Sequence, residues 1–248
     1  MIFEEILKPR ELTNENVSIR LTVLFLLKNS LSKTFFAQNL EKYLAQTIDD
    51  IKKIPEEQIE EFFDLQPVID FWYYTKLLGH KDDYKPKDKL IKQFISKKKI
   101  ENVKNPVQAI FMYCYIRALI VCDRKKYSYL KKYIDFLKLI IENDDEVYGY
   151  YLTHSIFYDI KFGKIKSKPI SSLKSLEKLD TYCEDKLEFN RGNVDLIGEI
   201  LLCCNLLKAF YFPHYSNMIK CIKKVRNVSD FHERGVLTAV LYQQKNLN

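Results

Sequence analysis

Two segments of the chain, residues 141–163 and 193–210, repeat apolar side chains at helical spacing and still carry ionisable groups. One stripe of the first segment carries five side chains: Val147, Tyr151, His154, Tyr158 and Lys161. In the second segment, Asp195 and Glu199 stand one turn apart among leucines and isoleucines. A carboxylate in such apolar surroundings must be paired, bound to a metal or protonated. We therefore expect two buried helices that hold any functional site.

The rest of the chain is also typical of helices. Among 248 residues there are only 6 glycines and 7 prolines, too few for the turns of an all-β or glycine-rich α/β fold. The hydrophobic fraction of 47% is enough for one continuous core. Neither strand alternation nor a sharp sequence repeat is visible. The sequence predicts an all-α fold of about ten or eleven helices in a single domain, residues 1–248.

Helices that are apolar all round alternate with amphipathic, lysine-rich ones. The predicted helices cover residues 16–28, 34–54, 68–78, 105–122, 126–141, 171–185, 213–225 and 233–242, besides the two opening segments. Residues 81–99 are predicted as a loop and a solvated outer helix. Inner helices surrounded by outer ones form either an α/α toroid or a curved helical-hairpin solenoid. An irregular bundle is the alternative.

The cysteines, the N-terminal sequence and the net charge indicate the compartment of the protein and the kinds of partner that it can bind. The six cysteines lie mostly in apolar runs without zinc-knuckle spacing, so buried free thiols are expected. The N-terminus has no basic region with a cleavage site, and no apolar run is long enough to span a membrane. The net charge of +7 is dispersed over several short basic runs, which argues against nucleic acid. We expect a cytoplasmic protein without a membrane partner; the oligomeric state is open.

Residues 150–163, YYLTHSIFYDIKFG, and residues 193–207, NVDLIGEILLCCNLL, together resemble the paired segments of bacterial helical-hairpin domains of unassigned function. The layout of those domains is similar to the α/α toroids of terpenoid cyclases and protein prenyltransferases. The resemblance covers residues 144–242 and is carried by Thr153, His154, Tyr158, Asp159, Gly163, Asp195, Glu199 and His232. The chain lacks the DxDD acid motif of cyclases and a cysteine placed for a prenyltransferase zinc site, so the resemblance implies fold shape and no activity.

His154 is the strongest candidate for chemistry, because a histidine can act as acid, base or ligand near neutral pH. The alternative is a core histidine bonded to a backbone carbonyl or a tyrosine hydroxyl. If the helices converge, His154, Asp195, Glu199 and His232 could serve as an acid/base pair or a metal site. The alternative for Glu199 is a structural salt bridge to Arg191, Arg234 or a lysine. We expect no metal and no cofactor.

These observations favour a cytoplasmic interaction module that binds a peptide or protein partner on an aromatic concave surface. Its predicted binding residues are Tyr151, His154, Tyr158, Asp195, Glu199 and His232. The alternative is an α/α-toroid enzyme for a small-molecule or peptide substrate, with His154, Glu199 and Asp195 as candidate catalytic residues in a central cavity. The chain has no glycine-rich phosphate loop, GxSxG elbow or HExxH pair, which argues against the commonest NTPase, hydrolase and metalloprotease classes.

Overall fold

Capping side chains determine where the longest helices begin. Asn105 accepts two backbone N–H groups of the turn that follows it, and a proline occupies the first helical position. Asp144 and Asn193 each accept one backbone N–H group in the same way. These caps satisfy donors that have no partner inside a helix, so each helix starts at a defined residue.

The computed structural model describes residues 59–78, 85–186 and 193–224, together with residues 46, 47, 49 and 240. Its α-helices are α1 Gln66–Leu78, α2 Asp88–Phe94, α3 Lys97–Glu101, α4 Pro106–Cys122, α5 Arg124–Tyr127, α6 Ile134–Ile141, α7 Asp145–Asp159, α8 Ile170–Asp185, α9 Val194–Leu206 and α10 Tyr215–Lys224. Shorter 3-10 segments lie at Phe63–Leu65 and Ser128–Tyr133. No strand occurs in these ranges, which confirms the all-α prediction for this part of the chain. The predicted helices at 16–28, 34–54 and 233–242 lie outside it, apart from helical residues 46, 47, 49 and 240.

The helix predicted at residues 126–141 is divided into α5, a 3-10 segment and α6. The physical reason lies in the spacing of the buried side chains. Tyr127, Leu130 and Tyr133 are all buried, and they recur every three residues, the period of a 3-10 helix. From Leu137 to Ile141 the spacing widens to four, which suits the α-helix that follows.

In residues 85–101 a non-helical segment is followed by helices with exposed lysines, as expected, but there are two helices instead of one. These are α2 and α3, and each helix keeps its lysines outside and an apolar side inside. The buried set is Leu90, Ile91, Phe94, Ile95 and Ile100. The high charge density of this segment hid an amphipathic pattern.

Helices α4 and α7 lie side by side and run in the same direction. The hydroxyls of Tyr113 and Ser155 are 2.9 Å apart, and one turn later Arg117 donates to Asp159. In each pair the two residues are 42 positions apart in the sequence. One turn along α4 therefore corresponds to one turn in the same direction along α7, so the two helices are parallel. Helix α9 stands in the same relation to the other side of α7, through pairs described below.

A further helix packs against each of these three: α6 on α4, α8 on α7, and α10 on α9. Gly149 allows α7 to approach α8 and α9 closely. A methyl group at this position would lie 2.8 Å from Cδ2 of Leu196 and 2.9 Å from Cζ of Tyr182. The buried apolar side chains of the described residues form one cluster. No described helix is both long and apolar enough to cross a membrane.

The turn after α7 packs against α1 and so connects this helix to the rest of the core. Lys161 and Phe162 have φ angles of 49° and 50°, and Gly163 has φ 87°, which turns the chain sharply. This turn carries the buried Phe162 ring to within 5.9 Å of Tyr73 and 5.5 Å of Tyr74, both on α1. Edge-to-face aromatic packing therefore joins helices that are far apart in sequence.

Candidate functional site

The interface between α7 and α9 brings together three of the predicted site residues. The hydroxyl of Tyr150 donates to Oδ2 of Asp195 at 2.8 Å. One turn further along, Nδ1 of His154 lies 3.5 Å from Oε2 of Glu199. The two pairs have the same separation of 45 residues, so α7 and α9 run in the same direction. Asp195 and Glu199 both face α7.

Glu199 is held by a hydroxyl of α7. Oγ1 of Thr153 donates to Oε2 of Glu199 at 2.5 Å. The same Oγ1 lies 2.9 Å from the carbonyl oxygen of Tyr150. Since a hydroxyl has one proton, the two acceptors compete for it. Glu199 is only 4% exposed, so this hydrogen bond compensates part of the cost of burying it.

The backbone fixes the imidazole of His154. Its Nδ1 lies 2.9 Å from the carbonyl oxygen of Tyr150. A carbonyl oxygen only accepts, so Nδ1 must carry a proton. The rings of Tyr150 and Phe157 meet the imidazole edge-on. Nε2 has no hydrogen bond with any described residue, and the side chain is 26% exposed. The site therefore presents a ring nitrogen of fixed direction.

Asn193 connects the start of α9 to α7. Its Oδ1 caps α9, while its Nδ2 donates to the Tyr150 hydroxyl at 2.8 Å and to Oε1 of Glu146 at 2.5 Å. Burial, followed by the nearby charges of Asp195 and Glu199, raises the pKa of Tyr150 well above its ordinary value. Tyr150 therefore stays neutral and keeps its proton for Asp195. Asp195 lies in the first turn of α9, is buried and faces α7.

Sequence reasoning missed a second polar cluster, between α4 and α7. Arg117 donates to Oδ1 of Asp159 at 2.7 Å and to the hydroxyl of Tyr113 at 2.8 Å. Its guanidinium also lies over the rings of Tyr113 and Tyr158 at 5.6 and 5.7 Å. Ser172 of α8 reaches the other oxygen of Asp159 at 3.4 Å. The sequence did contain an indication of this cluster, because Arg117 is the only charged residue in the mostly apolar helix α4.

The tyrosines of the predicted stripe on α7 differ in their solvent exposure. Tyr151 stacks on Tyr148 at 6.0 Å and packs against Tyr113 at 5.0 Å, and it remains partly exposed. Tyr158 is buried against Tyr73 and belongs to the core. His232, the sixth predicted residue, lies outside the described part of the chain.

The described residues also bear on metal and thiol chemistry. No three of their His, Cys, Asp or Glu side chains are placed together so that they could hold a metal ion. All six cysteines are free thiols, four buried and two partly buried. Burial raises the pKa of the Cys183 thiol to about 12, so its nucleophilic thiolate is scarce at neutral pH.

No protein-family model matches the chain, and no curated protein or solved structure shows significant similarity to it. The resemblance to bacterial helical-hairpin domains and to α/α toroids therefore stays a prediction.

Proposed function

We propose that this chain is a cytoplasmic α-helical interaction module that binds a peptide or protein segment on the exposed face of α7, where Tyr151 borders α4 and His154 borders α9. The successive packing of α6, α8 and α10 on α4, α7 and α9 supports an array of helical hairpins, curved as a solenoid or closed as a toroid. Six free cysteines support a reducing compartment.

The main support for this proposal is the solvent exposure of side chains along the predicted stripe of α7, which begins at Val147. Val147 and Tyr158 are buried, whereas Tyr151 and His154 between them remain partly exposed. Cys114 of α4 is also partly exposed. An accessible tyrosine beside a fixed imidazole offers a partner both apolar area and a hydrogen-bond acceptor. Tyrosine is a frequent anchor in interfaces because its ring adds contact area at low entropic cost.

The experiment selects peptides from a random displayed library on the wild-type protein and measures their affinity for variants. Tyr151→Ser and His154→Ala should each weaken binding about tenfold or more, as expected for interface anchors. The matched control is Tyr211→Ser, which removes a tyrosine that is 72% exposed elsewhere on the surface. Equal affinity for all four proteins would refute the proposed face. Thermal melting of each variant establishes that it is folded.

A second candidate function is acid–base catalysis, and the geometry of His154 favours it. The proton on Nδ1 leaves Nε2 free to take a proton from a substrate hydroxyl or a water molecule. The Glu199 carboxylate, 3.5 Å from Nδ1, would stabilise the imidazolium that forms. In this account His154 is the base and Glu199 the residue that positions and stabilises it.

The enzyme hypothesis is tested by a panel of ester, phosphate and peptide substrates. Turnover of any of them should vanish in His154→Ala and fall strongly in Glu199→Gln. Turnover that survives both substitutions would assign the activity to another site or a contaminant.

A further inference from the structure

An exposed apolar stripe runs along the outer side of α6 and the 3-10 segment before it. Its members, here called the α6 stripe, are Tyr129, Phe136 and Leu139, which are 54%, 37% and 65% exposed. Leu137 and Ile141 on the same helix are fully buried, so α6 already contributes its own apolar side to the core. Phe136 and Leu139 thus lie outside the side of α6 that packs on the described core.

The α6 stripe has a strongly basic neighbourhood at its N-terminal end. Arg124, Lys125, Lys131 and Lys132 are all exposed, and none of them forms an ion pair with a described residue. Towards the C-terminal end the charges are mixed: Asp135 is exposed and Lys138 pairs with Glu142 at 3.2 Å. The surface thus combines an apolar centre with an excess of positive charge at one end.

We propose that the α6 stripe docks an acidic amphipathic helix of a partner protein. From Tyr129 to Leu139 the stripe is roughly 17 Å long, the length of about three helical turns. A partner helix could place apolar residues at i, i+3 or i+4 and i+7 along it. Carboxylates on that helix would then meet Lys131 and Lys132, which fixes its direction and speeds association.

Charge favours this partner over three others. A second copy of the chain would bring the same excess of positive charge against itself. Nucleic acid would use the basic residues and leave Phe136 and Leu139 in water. An anionic lipid surface carries its charge evenly and would face Asp135 and Glu142 as well as the lysines, whereas a helix can place its carboxylates against Lys131 and Lys132 alone. An acidic helix can match both the apolar centre and the charge pattern.

The test measures fluorescence anisotropy of a labelled amphipathic peptide of leucine and glutamate, about four turns long. Phe136→Ser with Leu139→Ser, and separately Lys131→Glu with Lys132→Glu, should each weaken binding by at least about tenfold. The matched controls are Ile170→Ser, at an apolar side chain that is 74% exposed, and Lys98→Glu with Lys99→Glu on α3. Both controls should bind like the wild type.

Four results would overturn the proposal. The first is a wild type that does not bind the peptide, and the second is unchanged affinity in both sets of stripe variants. The third is equal or tighter binding of a peptide in which lysine replaces every glutamate. The fourth is wild-type binding to phosphatidylserine vesicles, or self-association, that the stripe variants abolish while peptide binding persists. Because the substituted side chains are exposed, each variant should melt close to the wild-type temperature.

Discussion

The hydroxyl of Thr153 and the carboxylate of Glu199 meet at 2.5 Å across the interface between α7 and α9. Both side chains are buried, so the bond joins two polar groups that would be costly to bury separately. It also fixes the register that places His154 beside the same carboxylate. Structure and candidate site therefore depend on one contact.

Thr153→Val should destabilise the protein by about 1–3 kcal/mol, because it leaves the buried Glu199 carboxylate without this hydroxyl. Glu199→Gln should cost a similar amount by removing the charge that strengthens the bond. The double variant should cost less than the sum of the two, with a coupling of about 1–2 kcal/mol. Urea unfolding measures all three, and strictly additive losses would show that the contact contributes no stability.

Asp159→Ala should be destabilising by about 2–4 kcal/mol, because it leaves the Arg117 guanidinium largely buried without its partner. Arg117→Met combined with Asp159→Leu replaces the ion pair with apolar side chains of similar size. We expect this double variant to be more stable than Asp159→Ala. A double variant that is less stable than either single substitution would mean that the pair itself contributes more than its desolvation costs.

Lys208→Gly should stabilise the protein by about 0.5–1 kcal/mol. Lys208 ends α9 with a φ of 51°, a conformation that glycine adopts without strain. Its N–H reaches the carbonyl of Asn205, as in a Schellman motif. The control with opposite sign is Gly163→Ala, at φ 87°, which should destabilise by more than about 1 kcal/mol. Differential scanning calorimetry measures both, and a lower melting temperature for Lys208→Gly would contradict the argument.

Stability should fall between about pH 10 and 12 partly because of Tyr182. Burial, and then the charge of Glu146, raises its pKa to about 12 from 10.0. The folded protein thus holds the proton more tightly than the unfolded chain, so this contribution is complete below pH 10 and is lost as the pH rises through 12. Tyr182→Phe should reduce the alkaline loss by an amount on the order of 2 kcal/mol. The exposed-tyrosine control Tyr211→Phe should keep the full loss in urea unfolding at both ends of this range.

The local part of this structure could be predicted from the sequence. Asn105 followed by a proline identifies the start of α4, and Asn193 identifies the start of α9, because capping needs only residues within one turn. The helix ends were harder. Lys161 and Lys208 occupy positions with positive φ where glycine is the usual residue, so no sequence signal identified the ends of α7 and α9.

The contacts between helices could not be predicted, because they depend on register. Arg117 and Asp159 are 42 residues apart, and no local pattern specifies that separation. The sequence did predict that Glu199 must be paired, since burial of a charge requires it. It suggested arginine or lysine as the partner; among the described residues, the structure shows Thr153 and a nearby imidazole beside this carboxylate. The arginines considered for this role lie outside the described residues.

Both candidate functions depend on the direction of the His154 imidazole, because both need Nε2 to face outward. Long-range proton–nitrogen NMR at mildly alkaline pH, where an ordinary histidine is neutral, reports which ring nitrogen carries the proton. The chain has 4 histidines, and the spectrum of His154→Gln identifies the signals of His154 by their absence. We predict a proton on Nδ1 and none on Nε2, with the Nε2 signal shifting when a selected peptide or substrate is added. A proton on Nε2, or an Nε2 signal unchanged by a saturating ligand, would contradict the account.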